Sequence, residues 1–113
     1  MNIQELAVIK KHALPIKIFI FNDQGYGMIK QTQDDWLDSK YIASTEEGGL
    51  AITDNLRIAN AYGIPTATIN SHEEFHKINL ALNNNKCIIC NVNISPDHRI
   101  TPKLTVGKRL EEI

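Results

Sequence analysis

The stretch FIFNDQGYGMIK, residues 19–30, decides how the chain is read. An apolar run stops at Asn22, Asp23, Gln24 and Gly25, then resumes as if a helix begins. A plain turn needs only Gly or Asn to reverse the chain. Here a carboxylate and two amides stand just past an apolar strand. That is a costly place for polar side chains unless something there uses them.

Working outward, IKIFIF at residues 16–21 is β-branched, aromatic and almost wholly apolar. It reads as a strand covered on both faces, as in a parallel sheet. Upstream, residues 2–12 place Ile3, Leu6, Ala7 and Ile9 near one helical face, and Lys10, Lys11 and His12 suit a helix C-terminus. Pro15 forbids continuation. Downstream, residues 26–33 read as a short helix and 34–52 as an irregular loop ending in Gly48-Gly49. TDNLRIANAYG restarts a helix, capped by Thr53 or Asp54, with Leu56, Ala59 and Tyr62 on one side and Gly63 as its stop. TATIN, residues 66–70, is a second strand. SHEEFHKINLALNN is a further helix with Phe75, Ile78 and Leu82 as its inner face, and KCIICNVNI, residues 86–94, is a third strand. From Ser95 the chain is polar and carries Pro96 and Pro102, as a tail would.

This order predicts an α/β fold: three layers, a mainly parallel sheet with helices on both faces, and right-handed crossovers. Residues 1–95 are expected to form the domain and 96–113 its tail. In such sheets ligands sit beyond the carboxyl ends of strands. The NDQGYG turn lies at such an end.

Composition narrows the function classes. With 113 residues, 42% hydrophobic, the chain makes one domain at most. A net charge of -1 with mixed signs offers no basic stripe for nucleic acid and no polybasic face for a membrane surface. The apolar runs fall far short of the roughly 20 residues of a spanning helix. No signal peptide is visible, and two cysteines make no disulfide framework, so a reducing cytoplasm is the expected setting.

Three short motifs need weighing. His72-Glu73-Glu74-Phe75-His76 matches HExxH, but Ser71 and Glu74 also form an S-x-x-E capping box, which explains the acids locally. Cys87-Ile88-Ile89-Cys90 lies in a strand, where residues three apart point to opposite faces, so its sulfurs diverge. NDQGYG is either an ordinary strand-to-helix loop or a metal and diphosphate site. In the second case Asp23 supplies a hard oxygen, the Gly25 carbonyl another, and the helix N-terminus faces phosphate.

The run MNIQELAVIKKHALPIKIFIFNDQGYGMIKQTQ, residues 1–33, resembles the diphosphate-binding domain of thiamine-diphosphate-dependent enzymes of the acetolactate-synthase type. The likeness continues through the Gly-rich loop, LRIANAYGI, SHEEFHKI, the last apolar strand and the tail beginning Pro102-Lys103-Leu104. It implies thiamine diphosphate and Mg²⁺ as cofactors, and a parent enzyme that decarboxylates or condenses 2-keto acids. By position it implies Asp23 and the Gly25 carbonyl as metal ligands. Asn22 would be a structural residue of the turn, Tyr26 and Gly27 would lie near the cofactor, and Met28 would face the thiazolium and substrate. It assigns no catalytic side chain to this chain.

Two departures from the family pattern matter. The signature Gly-Asp-Gly that precedes the paired asparagines is absent, so Met1 resembles an internal methionine of a larger polypeptide. The second asparagine is Asp23 here, a competent hard ligand that adds negative charge beside a diphosphate. The isolated chain is therefore expected to be inactive and to bind cofactor weakly or not at all. Its expected partners are a second copy or the missing domains of the parent. The alternative is a non-catalytic module that keeps the fold as a dimerisation or regulatory surface.

Overall fold

A computed structural model describes residues 2–102 and Arg109. Met1 and the tail residues 103–108 and 110–113, on which two of the sequence readings fall, lie outside the described residues. The strands are β1 (Lys17–Asn22), β2 (Thr66–Ile69) and β3 (Ile88–Asn93). The helices are α1 (Glu5–Lys11), α2 (Gly27–Trp36), α3 (Asn55–Ala61) and α4 (His76–Leu82), the last preceded by a 3₁₀ turn at His72–Phe75. All strand pairs are parallel, in the order β1-β3-β2, with Phe19 and Ala67 both level with Cys90. The fold is α/β, as the helix–strand alternation predicts.

The chain forms two compact units. The first runs to Asn22 and resumes over Ile52–Ile94; the second is Asp23–Ala51 with the residues from Ser95. The first unit holds the whole sheet. Its core joins buried Ala59, Ile64, Cys87 and Ile89 to half-buried Leu6, Ile9, Ile18, Ile20 and Tyr62. This places α1 and α3 on the same sheet face as Ile18, Ile20 and Ile89. Ile69, Ile88 and Cys90, one step out of phase, are buried on the opposite face. Cys87 and Cys90 therefore diverge, as strand alternation requires, and both are free thiols whose pKa burial pushes up.

Local chemistry accounts for α3. The Asp54 carboxylate, not Thr53, caps it, accepting the N–H groups of Leu56 and Arg57 at 3.1 and 3.0 Å. Gly63 then turns the chain at φ +64°, and its carbonyl accepts from Lys10 Nζ at 2.6 Å, tying α3 to α1.

Five expectations change. Strand β1 is not fully covered: Phe21 is 72% exposed and its other residues are half-buried, whereas central β3 is buried from Ile88 to Asn91. Helix α2 runs three residues beyond 33, to Trp36. Ile3 lies before α1, which starts only at Glu5, and both it and Ala7 are exposed, so the half-buried face of α1 is Leu6 and Ile9 alone. The inner face of the last helix is not Phe75 and Leu82, which are exposed, but Ala81 with half-buried Ile78. Its 3₁₀ start, at three residues per turn, shifts the face that a 3.6 period predicts. The capping box shifts too: Ser71 makes no side-chain cap, and Glu74 instead accepts the Asn70 N–H at 2.7 Å.

Candidate functional site

Strand β1 ends at Asn22, and the polar turn that follows opens the second unit. The half-buried Asp23 carboxylate folds back on that turn. Its Oδ1 accepts the Gly25 N–H at 3.1 Å, and its Oδ2 accepts the N–H of Gly27, first residue of α2, at 2.7 Å. The helix start carries partial positive charge, so an anion is favoured there. Each glycine keeps space open. A Cβ on Gly25 would stand 2.6 Å from the Ser44 carbonyl oxygen, and one on Gly27 would stand 2.4 Å from Asp23 Oδ2. Tyr26 donates its N–H to the Ser44 carbonyl at 3.0 Å, and its side chain is exposed, as is that of Met28.

The donor chemistry suits a hard cation in part. Each Asp23 oxygen spends one lone pair on a backbone N–H and keeps capacity for a second partner. Among the described residues the Gly25 carbonyl accepts no hydrogen bond. Among the same residues, no three His, Cys, Asp or Glu side chains gather as a metal-binding group. An ion here would rest on one carboxylate, one carbonyl, ligand phosphates and water, which is the shell that Mg²⁺ accepts. His72 and His76 each have a local partner: the His72 ring lies 4.9 Å from that of Phe75, and His76 Nδ1 lies 3.1 Å from the Glu73 carbonyl.

Asn22 is placed differently from the rest. It is not in the turn but is the last residue of β1, in the first unit, and its carbonyl accepts the Ile94 N–H at 3.0 Å. Its side chain starts an amide ladder across the carboxyl ends of the strands. Asn22 Nδ2 donates to Asn93 Oδ1 at 3.1 Å, Asn91 Nδ2 to the same oxygen at 2.7 Å, and Asn93 Nδ2 to Asn70 Oδ1 at 2.7 Å. Strand periodicity puts all four on one sheet face. Sequence reasoning missed this ladder, though each strand run closes on an asparagine, in "FN", "IN" and "VN".

The second unit also holds a polar crevice of about 90 Å³ beside Gly27, lined by Lys30, Asp34, Tyr41, His98 and Arg99 among others. Tyr41 donates its hydroxyl to Asp34 Oδ1 at 2.5 Å. That bond, then the Ser39 side chain, Arg99 and Lys30, hold the Asp34 carboxyl below the usual carboxylate range, and Asp34 pushes the Tyr41 hydroxyl up. Arg99 pairs with both Asp34 and Asp35, and Lys30 Nζ donates to the Pro96 carbonyl at 2.8 Å.

A three-stranded parallel sheet whose strands alternate with helices defines the class, an α/β domain. The chain belongs to the thiamine pyrophosphate enzyme family, at its C-terminal TPP binding domain, whose family model matches residues 1–92. It is 30% identical over 109 residues to the acetolactate synthase large subunit of Cyanidium caldarium, covering 96% of this chain and 18% of that protein. Against the acetolactate synthase large subunit of Parasynechococcus marenigrum it is 29% identical over 109 residues, 96% of this chain and 17% of the relative. The large subunit of acetolactate synthase isozyme 2 of Escherichia coli matches all of this chain at 28% identity, over 20% of its own length. The chain thus spans about a fifth of the length of these relatives. No described helix is long and apolar enough to cross a membrane.

Proposed function

We propose that this chain supplies the diphosphate-and-metal half of a thiamine-diphosphate site. The enzyme it serves decarboxylates 2-keto acids or joins them to a second carbonyl compound. Residues 1–95 make that half and 96–113 its tail. One observation carries the reading: the Asp23 carboxylate is seated on the amide end of α2, accepting the N–H groups of Gly25 and Gly27. In this reading Asp23 and the Gly25 carbonyl hold Mg²⁺. Tyr26 and Gly27 flank the diphosphate, exposed Met28 faces the thiazolium side, and Asn22 holds the strand end. Bound thiamine diphosphate supplies the electron sink for breaking a bond beside a carbonyl. The part of this chain is to bind and orient. Aspartate beside a diphosphate makes binding depend on the divalent ion, because two anionic groups must share one cation. Two buried free thiols suit a reducing cytoplasm.

The 113 residues contain no Gly-Asp-Gly triplet, and Asp23 is the one carboxylate of the turn. The chain alone is therefore expected to be inactive, and to bind thiamine diphosphate weakly and only with Mg²⁺. Calorimetric titration with and without the ion checks this. Micromolar affinity overturns the incompleteness of the site, and binding that persists in EDTA overturns the metal role of Asp23.

A second reading is a non-catalytic dimerisation or regulatory module. The exposed Phe21 on an edge strand favours it. Sedimentation velocity decides: a monomer at every concentration removes it.

A further inference from the structure

Ser44 is completely buried, at 0% exposure, in a loop whose neighbours Ile42 and Ala43 are exposed. A buried hydroxyl needs a partner. Ser44 Oγ donates to Gln33 Oε1 at 2.5 Å, and Gln33 Nε2 donates to the Ile42 carbonyl at 3.0 Å. Gln33 is itself buried on α2. One side chain thus pins residues 42–44 to the helix. The pinned segment includes Ala43 at φ +56°, a left-handed conformation that a residue with a Cβ adopts at a cost.

The Ser44 carbonyl, so fixed, accepts the Tyr26 N–H at 3.0 Å. In a trans peptide the N–H and C=O point in opposite directions. Holding the Tyr26 N–H on Ser44 therefore aims the Gly25 carbonyl, the other end of the same peptide unit, away from this loop. Glycine at 25 permits the approach, since a Cβ would meet the Ser44 oxygen at 2.6 Å.

We propose that Ser44 is a positioning residue for the Gly25 carbonyl and that Gln33 sets Ser44. The inference rests on the metal assignment proposed above. Outer partners that orient metal ligands are worth about 10–100-fold in metal affinity. Ser44→Ala retains every backbone atom and both ligands but removes the donor to Gln33 Oε1 and so loosens the aim.

The test uses the full chain, ¹⁵N-labelled, titrated with Mn²⁺ in the presence of thiamine diphosphate. Paramagnetic broadening of the Asp23–Gly27 signals is readable even when binding is weak. In Ser44→Ala the Mn²⁺ concentration for half-broadening is expected to rise about tenfold or more. Exchange of the Tyr26 amide with solvent is expected to quicken, while amides of α3 keep their rates. Unchanged half-broadening in the variant overturns the positioning role, whether or not Tyr26 exchange moves, and leaves the metal site standing. Absence of broadening at Asp23–Gly27 in the parent chain overturns the metal assignment and this inference with it. Should Ser44→Ala fail to fold, Gln33→Met removes the same anchor at nearly constant volume, and the same outcomes apply. In the parent chain alone, a Tyr26 amide that exchanges at an unprotected rate also overturns it.

Discussion

The tightest constraint in the turn is mutual. Asp23 needs glycine at 27, because a Cβ there would overlap Oδ2, and α2 needs Asp23 to satisfy its first N–H. Replacing a helical glycine by alanine ordinarily stabilises by up to about 1 kcal/mol. Here Gly27→Ala is expected to destabilise by about 1–2 kcal/mol, the size of a lost helix cap, because the carboxylate must swing away. Asp23→Ala loses the same contact. The two costs therefore overlap, and the double variant should be about 1 kcal/mol more stable than their sum. Urea denaturation of the four proteins measures this. Additive costs show that Asp23 is not seated on Gly27. The sequence made Asp23, Gly25 and Gly27 visible, because polar and Cβ-free residues after an apolar strand are locally conspicuous. Ser44 and Gln33 carry no such local mark: their roles depend on a loop returning to the turn, which neighbouring residues do not encode.

At the scale of elements the same distinction holds. Helix α3 was legible because its stop and start are chemical and local, Gly63 at the end and an acid at 54 at the beginning. The buried face of α4 was not, because a 3₁₀ turn precedes it and moves the phase. The acid in that turn has a use. Glu74 is held below its ordinary carboxylate value of 4.5 first by the hydrogen bond from Lys77 and then by the Asn70 N–H. A depressed folded pKa means the unfolded chain binds more protons near that value. The contribution is thus present above 4.5 and is lost as pH falls through the lower folded pKa. Thermal melts of Glu74→Gln against the parent chain should differ at neutral pH and converge in acid. Parallel curves show that Glu74 does not couple to folding. The amide ladder makes a second prediction. Asn93 accepts from two amides and donates to a third, so Asn93→Ala should cost about 1 kcal/mol. Because Asn22 shares that bond, a double-mutant cycle with Asn22→Ala should return a nonzero coupling, read from denaturant midpoints.

At the scale of the whole molecule the governing fact is that, among the described residues, the parallel sheet has three strands with β1 at one edge. Parallel sheets normally occur covered, within larger α/β assemblies. The alternation of apolar runs with helices conveyed the fold class, but an edge strand and a central strand look alike in sequence, and β1 and β3 are both apolar. Only the pairing separates them. In the observed register the N–H and C=O groups of Ile18 and Ile20 face β3, as the Ile88 N–H to Ile16 carbonyl bond at one end and the Ile94 to Asn22 bond at the other require. Those of Lys17, Phe19 and Phe21 point outward, and among the described residues no hydrogen bond meets them. Such an edge is a template for another strand. Amide exchange on the dilute chain should then alternate along β1, slow at Ile18 and Ile20 and fast at Phe19 and Phe21, with β3 uniformly slow because it is paired on both sides. Raising the protein concentration separates the two functional readings. If the edge serves self-association, Phe19 and Phe21 become protected as the sedimentation coefficient rises. If it is completed by the rest of a longer enzyme, they stay fast at every concentration. Uniformly slow exchange along β1 in a dilute monomer would mean that the edge is not open, and the three-stranded register itself would be wrong.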